Sequence, residues 1–237
     1  MRRQWKKRPR ALRPGSRHGA SGCLPGFTSP RPAAHYAPVA PPLPDPWLEP
    51  FLPRLRRAGG RVLDAGCGYG TDAAILADAG FQVVACDRRR PPGAPWGPPW
   101  GPPVAFLLAD LQWLPFRPET LGVVIASLSL HYLPWAATLA AFRSIGTLVA
   151  PGGCVLFRVN ASDDIHHGAG QGEQLEPGFF RVPDSLVSHS ETKRFFTAAD
   201  VRAVVPPGFA IEHLAHRTIR RYEQPKQVWE CLLVRQS

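Results

Sequence analysis

Residues 62–70, VLDAGCGYG, combine three closely spaced glycines with one carboxylate. A glycine-rich turn lets the backbone bend sharply and lets a ligand approach without meeting a Cβ atom. Asp64 stands directly before the glycines, where it would face a phosphate poorly but a positively charged group well. This stretch therefore predicts a binding site for a ligand with a cationic centre.

Two more carboxylates end the next two predicted strands. Asp87 follows Gly70 by seventeen residues, and Asp110 ends the third strand. An ionised carboxylate only accepts hydrogen bonds, so Asp87 could bind both hydroxyls of a ribose and Asp110 an exocyclic adenine amine. Three neighbouring strands thus each end in a group suited to one part of an adenosyl ligand.

A nicotinamide dinucleotide is the rival ligand for such a turn. Its fingerprint is Gly-x-Gly-x-x-Gly, which places a helix N-terminus against a pyrophosphate. Here Thr71 occupies the position where the third glycine of that fingerprint would stand. Together with the acidic Asp64, this departure favours a phosphate-free ligand.

Strand and helix signals alternate along the chain after about residue 45. Continuous apolar strands that alternate with helices predict an α/β fold, a doubly wound and mainly parallel sheet with helices on both faces. A capping box opens a short helix at Thr197. The predicted strands are 61–65, 82–86, 104–109, 121–128, 154–159, 209–217 and 228–235, and the predicted helices are 46–57, 71–79 and 135–149, the last of them ended by Pro151-Gly152-Gly153.

The glycine motif and the acids after the second and third strands resemble those of class I S-adenosylmethionine-dependent methyltransferases, in the small-molecule branch that includes tellurite-resistance-type enzymes. The resemblance covers about residues 45–237 and implies seven strands in the order 3-2-1-4-5-7-6, with strand 7 antiparallel. It implies S-adenosyl-L-methionine as cofactor. The cofactor site that it implies has the methionine moiety on Asp64, Gly66, Gly68 and Gly70, the ribose on Asp87, the adenine on Asp110 and Leu111, and the sulfonium above Ser127 and Leu128, with Cys67 and Arg88 as neighbours.

Two features depart from the pattern of that family. The segment 91–103, with seven prolines and three glycines, replaces the helix that usually lies between the second and third strands. Gly122 stands where an acid often opens the fourth strand. The first departure leaves the adenine side of the predicted site irregular, and the second weakens only a local contact.

In methyl transfer by in-line displacement, the acceptor should bind beyond the ends of strands four and five. His131 and Tyr132 are the predicted catalytic residues, because His131 has a suitable pKa for a base just past the sheet edge. The alternative is an imidazole that is satisfied by the backbone at a strand–helix junction.

The long polar loop predicted over residues 158–180 would carry acceptor specificity. Arg158 and Glu176 either orient the acceptor or pair with each other. The adjacent pair His166-His167 does not suffice for a metal site, so none is predicted. Three arginines, Arg217, Arg220 and Arg221, either bind an anionic acceptor or lie exposed at a hairpin tip.

Composition sets the domain limits. The formal net charge is +10, but nine basic residues precede Asp45, the first acid, and the remainder carries only +1. Residues 1–40 are therefore predicted to be a disordered basic tail, and 41–237 the methyltransferase domain. Five cysteines without a CxxC pair indicate a reduced, cytoplasmic protein, and no apolar run is long enough for a membrane span.

A small molecule is the predicted methyl acceptor. A nucleic-acid methyltransferase is the first alternative, suggested by the basic tail, but residues 127–130 read SLSL rather than an Asn/Asp-Pro-Pro-aromatic run. The second alternative is a protein that binds S-adenosylmethionine without catalysis, since a fold does not prove an activity.

Overall fold

The computed structural model describes residues 45–90, 104–187 and 190–236. The predicted basic tail and the proline-rich segment 91–103 lie outside the described residues. No helix within the described ranges is both long enough and apolar enough to cross a bilayer.

Ten strands and four α-helices form the regular structure of the described part of the chain, together with short 3-10 turns. The strands are β1 (Arg61–Ala65), β2 (Val83–Asp87), β3 (Ala105–Leu108), β4 (Leu121–Ser127), β5 (Val149–Asn160), β6 (Glu173–Glu176), β7 (Phe179–Arg181), β8 (Thr192–Arg194), β9 (Phe209–Ile219) and β10 (Lys226–Arg235). The helices are α1 (Leu52–Ala58), α2 (Thr71–Asp78), α3 (Trp135–Leu148) and α4 (Ala198–Ala203).

Seven of these strands form one sheet in the order β3-β2-β1-β4-β5-β10-β9. The strands from β3 to β5 pair in parallel, and β10 is antiparallel to both of its neighbours. Because β9 and β10 are the sixth and seventh strands of this sheet, the predicted order and the predicted antiparallel strand are both confirmed. The ligand edge of the sheet is therefore the one where β1, β2, β3 and β4 end.

Each face of the sheet carries its own core. Neighbouring residues of a strand point to opposite faces, so Leu63 packs in one core with Phe142 of α3, while Val62 packs in the other with Leu55 and Leu76 of α1 and α2. All five side chains are buried. This burial on both faces explains why β1 and β4 are continuous apolar runs.

The junction between α3 and β5 differs from the prediction. Residues 151–153 lie inside β5, which begins at Val149, and do not end the helix. The reason is strand pairing: Leu121 of β4 already pairs with Val149, and the register then shifts so that Val123 pairs with Cys154. Pro151-Gly152-Gly153 form the extra, bulged residues of this shift.

The predicted polar loop over residues 158–180 was wrong as well. Arg158 still belongs to β5, and β6, β7 and β8 form a second, antiparallel sheet of three short strands. These strands are only three or four residues long and read EQLE, FFR and TKR, so they show no alternation of apolar and polar residues that would predict a strand. This small sheet packs against the turn that follows β4.

Candidate functional site

Gly66, Gly68 and Gly70 all have positive φ angles, of 76°, 51° and 77°. A Cβ atom on Gly66 would lie 2.3 Å from Cβ of Ser129 and 3.3 Å from Cδ1 of Leu111. Position 66 therefore requires glycine, both for its backbone conformation and for its close contacts. The contacts bring the loops after β1, β3 and β4 together at one point.

Asp87 joins the end of β2 to the glycine bend. The Gly68 N–H donates to Oδ2 of Asp87 at 3.0 Å, and the Arg89 N–H donates to Oδ1 at 3.2 Å. Asp87 is partly exposed, so its oxygens keep acceptor capacity toward a ligand. Arg88 is exposed beside it, and its contact with the cofactor stays a prediction.

Asp110 and Leu111 complete the third strand end. The carboxylate of Asp110 accepts the Gln112 N–H at 2.9 Å and so closes the turn after β3. Leu111 reaches Gly66, as described above, and the Ala109 N–H donates to the Asp87 carbonyl at 3.0 Å. The predicted adenine residues therefore lie at the same edge of the sheet as the predicted ribose residue.

Asp64 is a buried carboxylate, 2% exposed, whose Oδ2 has no hydrogen-bond partner among the described residues. Burial raises its pKa well above the ordinary range, and repulsion from Asp72 and Asp87 raises it further, against a hydrogen bond from the Ala73 backbone. Asp64 therefore lies close enough to two other carboxylates for their charges to act on it, and no cation is paired with Asp64 among the described residues. A positively charged ligand would relieve this repulsion, so the residues fit the sulfonium and ammonium groups of S-adenosylmethionine.

The thiol of Cys67 lies next to these acids. Burial raises the pKa of Cys67 strongly, and the charges of Asp64 and Asp87 act in the same direction. The group is therefore a neutral thiol at physiological pH and no nucleophile. Cys67 can contribute to the site only through its backbone and its bulk.

Ser127, the predicted neighbour of the sulfonium, binds a buried arginine. Its Oγ accepts from Nε of Arg158 at 3.3 Å and from Nη2 at 3.0 Å. Arg158 also pairs with Asp45 at 2.6 Å and stacks on Trp47, with 4.0 Å from its Cζ to the ring centroid. The Trp47 indole N–H in turn donates to Asp72 at 3.1 Å, so the segment 45–47 connects both halves of the site.

The sequence predicts a helix over residues 46–57 and no part in the site for residues 45–47. The signal was present in the position of Asp45, the first acid of the chain, two residues before a tryptophan. A lone acid beside an aromatic residue does not identify its partner. Here the partner, Arg158, lies 113 residues away in the chain, so no local pattern connects the two.

The predicted catalytic residues lie in a 3-10 turn, Leu130–Tyr132, directly after β4. His131 is 2% exposed, and its ring centroid lies 4.3 Å from that of Tyr132. Leu128 before this turn has φ 55°, a conformation that a leucine rarely adopts. The strained Leu128 turns the chain so that Ser129 contacts Gly66 and donates to the Ala65 carbonyl at 2.7 Å.

Arg158 and Glu176 do not pair with each other, which removes one of the two possibilities open in the sequence. Glu176 accepts the Trp135 N–H at 2.8 Å and forms an ion pair with Arg194. Arg194 also donates to the Leu133 carbonyl at 3.2 Å. The small sheet is thereby tied to the turn that carries His131 and Tyr132.

A family model for a methyltransferase domain matches residues 35–205. The chain belongs to this methyltransferase family. The resemblance to class I S-adenosylmethionine-dependent methyltransferases is thus confirmed for the family and the fold, and the tellurite-resistance branch is not confirmed. The predicted assignment as an S-adenosylmethionine-dependent methyltransferase is thus confirmed for the family, and with it the predicted cofactor.

Named relatives agree with this assignment. A demethylmenaquinone methyltransferase of Beutenbergia cavernae is 35% identical over 118 residues, which are 45% of this chain and 44% of the relative. The chain spans about half the length of the curated relatives it matches.

Solved structures show the same fold at low sequence identity. An S-adenosylmethionine-dependent methyltransferase of Methanosarcina mazei has a TM-score of 0.64 at 15% identity, covering 79% of this chain and 97% of that one. The 1,6-didemethyltoxoflavin-N1-methyltransferase of Burkholderia thailandensis, solved with 1,6-didemethyltoxoflavin and S-adenosylhomocysteine, has a TM-score of 0.55 at 22% identity and covers 85% and 95%.

Proposed function

We propose that this methyltransferase transfers the methyl group of S-adenosylmethionine to a small-molecule acceptor by in-line displacement. The observation that carries the proposal is the buried carboxylate oxygen of Asp64 beside a glycine bend, which has no hydrogen-bond partner in the described part of the chain. Such a group is costly without a cationic partner, and S-adenosylmethionine supplies an ammonium group and the methyl-bearing sulfonium.

The cofactor would lie along the edge where the first four strands end. Asp64 and the glycine bend at Gly66, Gly68 and Gly70 would hold the methionine moiety, and Asp87 the ribose. Asp110 and Leu111 would bind the adenine. This assignment is supported by the contacts that join the three strand ends at Gly66, and by the excess of negative charge around Asp64.

The acceptor would bind on the side of Ser127, His131 and Tyr132. Of these, His131 is the group that could remove a proton from the nucleophile, since an imidazole titrates near neutral pH. The named relatives that methylate demethylmenaquinone and didemethyltoxoflavin support a small organic acceptor here. Within this proposal, Tyr132 packs on the imidazole and fixes its orientation.

Ligand-dependent melting tests the cofactor assignment. S-adenosylmethionine and S-adenosylhomocysteine should raise the Tm of the full chain, and NAD should not, because only a ligand that binds the native state stabilises it. Asp64→Asn should weaken the binding of S-adenosylmethionine at least about 10-fold. The matched control is Asp78→Asn, which changes an exposed carboxylate of α2. A shift with NAD alone would sink the assignment.

Activity needs a separate measurement. The chain should transfer a labelled methyl group from S-adenosylmethionine to a component of a metabolite extract, and His131→Gln should reduce kcat by about 10²-fold or more if the imidazole is the base. Labelled product from any acceptor would exclude a purely binding role. Transfer to RNA or DNA alone would contradict a small-molecule acceptor.

A further inference from the structure

Two arginines meet on one carboxylate beyond the ends of β4 and β5. Oδ2 of Asp45 lies 2.6 Å from Nη1 of Arg158 and 3.8 Å from Nη1 of Arg221. Arg158 comes from β5 and is 1% exposed, whereas Arg221 comes from the connection between β9 and β10. Ser127 completes the group with its hydroxyl on the Arg158 guanidinium.

The positive charge of this group exceeds its negative charge. Arg221 donates from Nη2 to the Tyr222 hydroxyl at 3.0 Å, but its buried Nε has no hydrogen-bond partner among the described residues. Lys226 lies near enough for repulsion from Arg221 to add to burial in lowering the pKa of this lysine, against the attraction of Asp164. One Asp45 carboxylate therefore faces two guanidinium groups with a further cation close by.

We propose that Arg158 and Arg221 form a subsite for a carboxylate group of the methyl acceptor, which replaces the side chain of Asp45 when it binds. This inference rests on the proposed function and adds to it the chemical class of the acceptor, a carboxylic acid. The side chain of Asp45, 16% exposed, shows that the subsite accommodates a carboxylate.

Electrostatics select an anionic acceptor over a neutral one. The exchange of one carboxylate for another keeps a counter-ion on the fully buried Arg158 throughout binding. A neutral acceptor that displaced Asp45 would leave this guanidinium buried without a partner, which is strongly unfavourable. The planar guanidinium can also orient a carboxylate through two parallel hydrogen bonds.

The subsite lies next to the predicted cofactor site. Ser127 contacts Arg158 directly, and Ser129, two residues further along the chain, touches Gly66 of the glycine bend. Even a fully extended chain would span only about 7 Å over two residues, and the turn at Leu128 brings Ser127 and Ser129 closer than that. An acceptor anchored by its carboxylate at Arg158 would therefore place the rest of its structure toward the transferable methyl group.

Rescue by a free carboxylate tests the subsite without any catalytic turnover. Asp45→Ala should lower the Tm of the full chain, and sodium formate should restore part of that loss, by about 3 °C or more beyond sodium chloride at equal ionic strength. Adding Arg221→Gln should abolish the formate effect. Adding Arg220→Gln instead, at the exposed neighbouring arginine, should preserve it. Equal effects of formate and chloride on Asp45→Ala would overturn the proposal.

The acceptor itself is tested with Asp45 in place. A metabolite extract is first separated by anion exchange. The compound that accepts the labelled methyl group should then be found in the fraction that the exchanger retains. Arg221→Gln should raise KM for that acceptor at least 10-fold and leave the Kd of S-adenosylmethionine unchanged, whereas Arg220→Gln should change neither. Equal KM values in the two variants, or an acceptor found only in the unretained fraction, would also overturn the proposal.

The two measurements separate this inference from the proposed function. If the chain binds S-adenosylmethionine but methylates nothing in any fraction, the proposed function fails, and the formate comparison alone decides whether the subsite exists. If methyl transfer occurs and formate has no specific effect, the function stands and the carboxylate subsite falls.

Discussion

Asp64 shows a conflict between binding and stability within one side chain. Its carboxylate is buried and faces Asp72 and Asp87, and these influences raise its pKa. A carboxyl group with a raised native pKa makes the folded state bind a proton that the unfolded chain has lost. The native state therefore loses stability as the pH rises from the ordinary aspartate pKa through the raised one.

Replacing this carboxylate should stabilise the ligand-free protein. Asp64→Asn keeps the size of the side chain and an acceptor oxygen but removes the charge. At neutral pH we expect a higher free energy of unfolding, because the buried site no longer holds a carboxyl group that must either stay protonated or carry an unfavourable charge. The same variant should bind S-adenosylmethionine more weakly. Denaturant unfolding in the absence of ligand measures the first effect.

The control for this prediction is the pH dependence. The advantage of Asp64→Asn over the wild type should shrink as the pH falls toward 4, because the wild-type carboxyl group is then protonated and neutral. Asp78→Asn should show no comparable gain at any pH, since Asp78 is exposed on α2. A variant that is less stable than the wild type at neutral pH would contradict the argument.

At the scale of elements, the glycine bend depends on contacts as well as on conformation. Gly66 and Gly80 both have positive φ angles, 76° and 88°, but only Gly66 would bring a Cβ atom against neighbouring side chains. Gly80→Ala should therefore cost about 1 kcal/mol from backbone strain alone. Gly66→Ala should cost at least about 2 kcal/mol more and abolish cofactor binding.

Thermal unfolding and S-adenosylmethionine binding of the two alanine variants measure this difference. Because both substitutions force alanine into a left-handed conformation, the excess in Gly66→Ala reports the clash with Ser129 and Leu111. Equal destabilisation in the two variants would mean that the loops after β3 and β4 yield without loss, and that their approach to the bend is not what fixes the site.

The small sheet positions the turn that carries His131. Arg194 of β8 donates to the Leu133 carbonyl and pairs with Glu176 of β6, which caps the first N–H of α3 at Trp135. Arg194→Gln should lower kcat about 10-fold or more, because it would displace the turn that carries the predicted catalytic residues, while the Kd of S-adenosylmethionine stays the same.

A matched variant lies in the same sheet. Arg181 of β7 pairs with Glu173 at the surface, where both side chains are more than half exposed. Arg181→Gln should leave kcat and the Kd of S-adenosylmethionine near their wild-type values, since exposed ion pairs contribute little. If both arginine variants lowered kcat equally, the small sheet would act through its stability and not through the turn.

The main sheet could be predicted from the sequence because its signals are local. The buried strands β1 and β4 are apolar runs, and the capping box predicted at Thr197 forms, with the Asp200 N–H bound to the Thr197 hydroxyl at 3.2 Å. The strands of the small sheet could not be predicted, because they are three or four residues long and depend on one another for pairing.

The same distinction between local and long-range signals applies to the site residues. The candidate cofactor residues could be found because they belong to one short motif and to two strand ends, and the structure brings these elements together. The ion pair of Arg158 with Asp45 could not be found, since it joins residues 113 positions apart with no motif around either. Long-range electrostatic partners follow from topology, and topology in turn follows from the whole sequence.

At the scale of the whole described domain, the two halves of the site carry opposite charge. Asp64, Asp72 and Asp87 surround the predicted cofactor side, whereas Arg158 and Arg221 lie on the predicted acceptor side. The near-neutral total for the chain after the basic N-terminal residues conceals this separation. Opposite potentials of this kind would orient a cationic cofactor and an anionic acceptor toward different ends of one site.

A second group of buried charges makes the stability of the domain depend on pH in alkaline solution. Lys193 is 5% exposed and donates to the Leu186 carbonyl at 2.7 Å. Burial lowers its pKa to about 8, and repulsion from Lys226 contributes, against the attraction of Asp164. Because the unfolded lysine keeps its proton to a pKa of about 10.4, unfolding takes up a proton between these values. The native state should therefore gain stability from Lys193 as the pH rises from 8 to 10.

Buried thiols have the opposite effect on stability in alkaline solution. The prediction therefore concerns the difference in Tm between the wild type and Lys193→Met. Burial raises the pKa of Cys86 to about 12 and of Cys154 to about 11, which destabilises the native state above pH 9 as the unfolded thiols ionise. Lys193→Met retains these cysteines, so their effect cancels in the comparison. From pH 8 to pH 10 the Tm of the wild type should rise by several degrees relative to Lys193→Met, since one pKa unit equals about 1.4 kcal/mol. Parallel Tm profiles over this range would show that Lys193 keeps an ordinary pKa in the folded domain.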